Sequence, residues 1–218
     1  MRKNGNHTDS ATRQHVLQAA LKCFARCGYA AASVRDIVRA AQVSKPVLYY
    51  YFADKAHLFQ ALLDHAHDER YQLMRTAAER GATTGEKLEE IVAAVFEFCV
   101  KNRELMRLAF ASAFAGQGEA PGGLKCREKG RRNFEFVRSL VEQGQAAREL
   151  DRRFTADELA MGIYGQLNSY VMIGLLVPDC PLNRQTARQI VALFLQGASN
   201  RRRAPATARR RASSPSRL

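Results

Sequence analysis

Apolar residues recur along most of this chain at helical spacing, and no stretch alternates as a half-buried strand would. Val16, Leu17, Ala20, Leu21 and Phe24 follow the i, i+3, i+4, i+7 rule and predict a first helix. Gly28 is expected to stop it at C′, where a left-handed residue is needed. A second helix begins at Ser33, with Asp36 three residues on, and its apolar positions are Val34, Ile37, Val38 and Ala41. A third starts at Ser44, with Pro46 in its first turn and Val43 placed to staple onto Leu48. Asp54 is expected to cap a long helix reaching about Arg80.

Gly81-Ala-Thr-Thr-Gly85 is the first clear break. Thr83 and Glu86 form a capping box that opens a helix to about Asn102, and Arg103–Ala115 reads as a further helix. Residues 116–123, rich in glycine, read as a loop, and Leu124–Leu150 as a long amphipathic helix. A second box, Thr155 with Glu158, opens an apolar helix to Val177, and Pro178 and Pro181 end it. A last helix spans about Asn183–Ala198. The expectation is therefore an all-α chain. Residues 201–218, made of Arg, Ala, Ser, Pro, Thr and a final Leu, are expected to be disordered.

Charge divides the chain more sharply than composition does. Residues 1–58 carry 9 basic and 3 acidic side chains, residues 59–200 carry 18 of each, and residues 201–218 carry 7 Arg and no acid. A basic head and tail flank a neutral body, and a polyanion is the natural partner of the head. Five cysteines, at 23, 27, 99, 126 and 180, are an odd number without a tight framework, which argues against a disulfide-stapled secreted domain. No apolar segment follows the polar start, so a secretory leader is not expected. The apolar stretch Leu159–Val177 carries Gln166, Asn168 and Ser169 at its middle, which disfavours a membrane span. A reducing cytosolic compartment is the corresponding expectation.

The chemistry concentrates in residues 33–52, SVRDIVRAAQVSKPVLYYYF. A capped helix of about nine residues, a tight turn and a short second helix have the proportions of a helix-turn-helix. The second helix is poorly suited to a core, since Lys45, Tyr49, Tyr50 and Tyr51 all have polar tips. Adjacent helical residues diverge by about 100°, so three consecutive tyrosines cannot all point inward. Tyrosine hydroxyls can reach phosphates while the rings touch thymine methyls, and Lys45 can reach a guanine edge or a phosphate. Lys55, in the next helix's first turn, is placed for a backbone phosphate, and the helix starts at Ser33 and Ser44 offer free N–H groups.

These residues carry a resemblance. Thr12-Arg-Gln-His-Val16, Phe24-Ala-x-x-Gly28-Tyr29, Ser33-Val-Arg-Asp-Ile37, Ala40-Ala41, Val43-Ser44, Leu48-Tyr49-x-Tyr51-Phe52 and Lys55 resemble, without a gap, the DNA-binding domain of the TetR family of transcriptional regulators. One position departs: the turn residue, usually Gly, is Gln42, and a positive φ there costs about 1 kcal/mol or somewhat more. The resemblance implies a DNA-binding domain at 11–71 with its helix-turn-helix at 33–52, a helical body at 72–200, and the basic tail at 201–218. It implies a homodimeric, bacterial cytoplasmic and nucleoid-associated repressor that binds a palindromic operator and is released by a small molecule, without a cofactor. By matching position, Arg35, Lys45, Pro46, Val47, Tyr49 and Tyr50 face bases or sugars; Thr12, Ser33, Ser44, Tyr51 and Lys55 hold the backbone; and Arg2 and Lys3 reach a flanking groove.

The body gives weaker signals. The helix from 155 to 177 is apolar nearly all round and that from 183 to 198 is broadly so, which points to a four-helix bundle across a dimer axis. Phe96, Cys99, Met106, Phe110, Phe134 and Tyr170 could line an apolar pocket, with Gln166 or Asn168 as its polar anchor, although such residues also serve as plain core. Cys23 with Cys27, and the Asp64, His65, His67, Asp68 group, could serve redox or metal sensing, against the plainer readings of a core thiol and a solvated face. No catalytic set or dinucleotide fingerprint is legible, so an enzyme is not expected. A constitutive DNA-binding protein without an effector is the alternative.

Overall fold

The computed structural model describes residues 5–114, 121, 123–177 and 179–198. Most of the predicted loop at 116–123, Arg2, Lys3 and the whole tail from 201 lie outside these residues. Among the described residues the chain forms nine helices: α1 (Gly5–Ala31), α2 (Val34–Ala40), α3 (Lys45–Tyr51), α4 (Lys55–Ala78), α5 (Thr84–Lys101), α6 (Arg103–Phe114), α7 (Gly123–Ala146), α8 (Ala156–Leu176) and α9 (Arg184–Ala198). The fold is all-α, as the periodicity predicts.

The local signals act largely as read. Asp54 accepts from His57 N at 2.8 Å and starts α4. Thr83 and Glu86, and Thr155 and Glu158, close complete capping boxes, each satisfying N–H groups that a helix start leaves open. Two caps differ from expectation. Ser33 accepts from Asp36 N at 3.1 Å, but its hydroxyl then donates to the Asp36 carboxylate at 2.5 Å, because the shorter Asp stops at the hydroxyl. Ser44 starts α3 with no side-chain cap, and Pro46 in the first turn removes one of the N–H groups a cap would serve.

Two chain reversals turn on positive φ. Gly28 lies at φ 76°, ψ 173°, a region essentially closed to side chains, rather than in the left-handed helical well expected of it. It kinks α1, so that Tyr29–Ala31 continue in a new direction. The expected helix at 124–150 instead ends at Ala146, because Arg148 takes φ 64° and the N–H groups of Glu149 and Leu150 turn back to Gly144 O. Nothing in the residue type signals this, since the C′ position holds no Gly.

One core runs through the whole molecule. Val16, Phe24, Ile37, Leu48 and Leu58 fill its head, and Leu63, Met74, Ile91, Phe96, Val141 and Ile163 its body. α4 packs on α1 at one end and on α5, α6 and α7 further along. The boundary expected at 71–72 therefore falls inside a continuous helix. α8, the helix among the described residues long and apolar enough to cross a membrane, packs one face on α7 and α9.

Candidate nucleic-acid interface

The head is a tripod in which α1 and α4 brace α2 and α3. Phe24, Tyr29 and Phe59 pack together at its centre, with ring centroids 4.9–5.9 Å apart and Phe59 edge-on to the other two. Leu48, wholly buried, seats α3, and burying such a side chain contributes about 1.5–3 kcal/mol. The turn between α2 and α3 is a Schellman motif: Val43 N donates to Val38 O at 3.1 Å and Gln42 N to Arg39 O at 3.2 Å, with Gln42 at φ 50°. The glycine position of the family pattern thus keeps its backbone conformation under a glutamine.

With Leu48 inward, the opposite face of α3 is open. Tyr50 is 75% exposed and Tyr49 49% exposed; Lys45, Pro46 and Ser44 are also exposed, and Val47 is half-buried at the edge. Arg35 is exposed on α2. These outward residues include two cations and no acid. Asp36, beside it, is held below the usual carboxylate range by the Ser33 hydroxyl and then by Arg39, Arg26 and Arg35.

Four expected backbone contacts have other partners in this conformation. Tyr51 donates its hydroxyl to Asp9 Oδ1 at 2.7 Å, which raises its pKa, and Thr12 bonds to the same hydroxyl. Lys55 Nζ faces the carbonyls of Tyr29 at 2.9 Å, Ala32 at 3.0 Å and Ala30 at 3.4 Å, and sits 4.3 Å from the Tyr29 ring centre. It closes the end of α1, so a phosphate at Lys55 must displace one of these bonds. The Ser33 hydroxyl is likewise engaged by Asp36. Sequence reasoning missed the Asp9–Tyr51 and Lys55–carbonyl ties, which join residues 23 to 42 positions apart.

The pocket residues of the body are distributed through its packing. Phe96, Cys99 and Met106 are buried, Phe110, Phe134 and Gln166 half-buried, and Tyr170 37% exposed at the surface. Burial pushes the Cys99 thiol up to about 11, with Arg70 acting in the opposite direction. A cleft of about 500 Å³ lies elsewhere, between α1 and α6, and contains none of these seven residues. Asp64 and Asp68 are held by Lys129 at 3.0 and 2.7 Å, and Asp68 also by Arg132 at 2.8 Å. Burial, then Arg70 and Lys129, hold His67 below the ordinary imidazole value. Cys27 Sγ donates to Cys23 O at 3.1 Å, and both thiols are free.

A short helix held by one buried leucine, with its opposite face basic, aromatic and open, defines a helix-turn-helix DNA-binding protein. Residues 16–62 match the family described as bacterial regulatory proteins, tetR family. The chain carries a tetR-family domain there, and its similarities support a TetR-family DNA-binding transcriptional regulator. It is 26% identical to the HTH-type transcriptional repressor NicS of Pseudomonas putida over 197 residues, covering 89% of this chain and 88% of NicS. It is 24% identical to the HTH-type transcriptional regulator AcrR of Shigella flexneri, covering 85% and 88%. Among solved structures, the fatty acid degradation regulator FadR from Bacillus halodurans superposes with a TM-score of 0.71 at 20% identity, covering 84% of this chain and 98% of FadR. FadR from Bacillus subtilis, solved with stearoyl-CoA, gives 0.68 at 18% identity, covering 84% and 98%.

Proposed function

We propose that the chain is a cytoplasmic, non-enzymatic repressor acting as a homodimer, in which each copy lays α3 in the major groove of one half of a palindromic operator. The observation that carries this is the open face of α3: Lys45, Pro46, Tyr49 and Tyr50 for bases and sugars, Val47 at their edge, and Arg35 beside them. Thr12, Ser33, Ser44, Tyr51 and Lys55 hold the phosphate backbone, with Tyr51 and Lys55 exchanging internal partners for phosphate oxygens. Residues 11–71 read DNA, and residues 72–200 pair the copies and sense an effector.

Dimerisation rests on α8 and α9. Their outer faces expose Met161 (61%), Ile173 (45%), Leu176 (71%) and Leu193 (64%), an apolar patch that a second copy of the same helices covers as a four-helix bundle. A small-molecule effector in the body then changes the spacing of the two heads and releases DNA. The relatives support this reading, since NicS is a repressor and the similarly folded Bacillus subtilis FadR holds a ligand.

The test is selection of bound sequences from random duplexes. The expected product is an inverted repeat with half-sites one helical turn apart or somewhat more. Lys45→Ala and Tyr49→Ala each weaken binding to it by about 1–3 kcal/mol while the fold is kept. Unimpaired binding by both variants refutes the assigned face.

A further inference from the structure

The body buries a positive charge that no acid among the described residues neutralises. Arg70 is 7% exposed, on the face of α4 that carries Leu63, Ala66, Met74 and Ala77. Its Nη2 donates to Asn168 Oδ1 on α8 at 2.7 Å, and its guanidinium carbon lies 5.3 Å from the centre of the Tyr164 ring. Its Nε is sealed from solvent and makes no hydrogen bond. Among the described residues no carboxylate pairs with it.

The neighbouring charges cancel without it. Asp64 and Asp68 face Lys129 and Arg132, two negative against two positive. His67 is disfavoured from charging by burial and by Arg70 itself. One positive charge is left over, and a buried, unpaired guanidinium is strongly unfavourable.

One neutral side chain in the same region is also unsatisfied. Asn133 on α7 is 1% exposed, and neither its Nδ2 nor its Oδ1 has a partner. Its neighbour Phe134 meets Tyr164 edge-on at 5.9 Å, the ring over which Arg70 lies. Buried polar atoms are nearly always bonded in native proteins, so the orphaned Arg70 Nε and Asn133 amide beside one unpaired charge point to a missing ligand.

We infer that the effector is a singly charged carboxylic acid with an apolar remainder, whose carboxylate seats on Arg70 between α4, α7 and α8. The inference rests on the effector-responsive reading above and gives that effector its chemical class. Arg70 Nε and Asn133 Nδ2 donate to the carboxylate, while Asn133 Oδ1 accepts from any N–H or O–H the ligand carries. A dianion overshoots the single uncompensated charge, and a neutral ligand leaves it standing. Phe134, Tyr164 and Leu167 supply an apolar wall for the rest of the molecule. The polar atoms are sealed here, so entry requires the helices to part.

The experiment is thermal melting of the full chain with a panel of monocarboxylates (benzoate, phenylacetate and the straight-chain acids from butyrate to decanoate) beside the alcohols of the same skeletons. At least one acid is expected to raise the melting temperature by several degrees and to release the selected operator, and its alcohol to do neither. Arg70→Met is expected to lose the response and, having no internal ion pair to break, to melt no lower than wild type without ligand. Asn133→Leu is expected to weaken the acid's affinity tenfold or more. The inference is overturned if no acid shifts the melt, if an alcohol shifts it equally, if Arg70→Met responds like wild type, or if ligand-free Arg70→Met melts much lower or fails to fold. A neutral compound that releases the operator while no acid binds leaves the effector reading standing and removes this one. Failure of the wild type to select any operator removes the regulator reading, whatever the acids do.

Discussion

Replacing Gln42 by Gly tests the turn on which α3 depends. Gln42 sits at φ 50°, where a side chain costs about 1–2 kcal/mol through contact of its Cβ with the following carbonyl. Glycine removes that strain but gives back roughly 0.4–1 kcal/mol through its larger freedom in the unfolded chain. The net expectation is a gain of about 0.5–1 kcal/mol, which in a chain of this size raises the melting temperature by about 1–4 °C. Both Schellman hydrogen bonds are main-chain bonds and survive the change, and Val38 and Val43 keep their half-buried positions. Operator affinity should therefore stay within about twofold. The assay is thermal denaturation at fixed protein concentration, because the proposed pairing would make the midpoint concentration-dependent. A melting temperature that falls or stays unchanged refutes the reasoning and shows that the glutamine side chain is worth as much as the strain it causes.

Three further outcomes are expected. Gly28→Ala should destabilise by about 1–3 kcal/mol in urea titration although the added methyl meets nothing within 4 Å, because φ 76°, ψ 173° is closed to alanine; an unaffected midpoint would contradict that. Glu90 is held down to about 2 by Arg184, with Arg80 adding to it. A carboxylate lowered in this way contributes stability above its unfolded value and loses it as pH falls from about 5 toward 2, so the gap between wild type and Glu90→Gln should close over that range in urea midpoints. A gap that stays constant with pH would assign the loss to packing. Deleting residues 201–218 should flatten the plot of log affinity against log salt if those arginines meet phosphates, at about 0.9 per phosphate released; an unchanged slope places the tail off the DNA.

Features encoded within three or four residues were readable in advance. The capping boxes at Thr83 and Thr155 and the Asp54 cap need only local spacing, and the open face of α3 follows from three tyrosines that cannot share one side. The end of α7 was not readable, because Arg148 adopts a glycine-like conformation under tertiary constraint. Nor were the partners of Tyr51 and Lys55, since bonds across 42 and 23 residues leave no periodic trace. Arg70 is an intermediate case. It sits four residues from Ala66 and four from Met74 on an apolar stripe, a visible break in the α4 pattern, although the absence of a counter-charge needs the folded chain.

The unbroken course of α4 has a mechanical consequence. Lys55, clamped to the end of α1, and Arg70, in the body, are 15 positions apart on one stiff rod, about 22 Å at 1.5 Å per residue. A pivot of only 5° about the Arg70 end would carry the Lys55 end sideways by about 2 Å, and the reading head with it. Such a lever converts a change too small to disturb the body's packing into a displacement well beyond the ~0.5 Å spread of hydrogen-bond lengths, so fit to a groove can be lost while every helix stays intact.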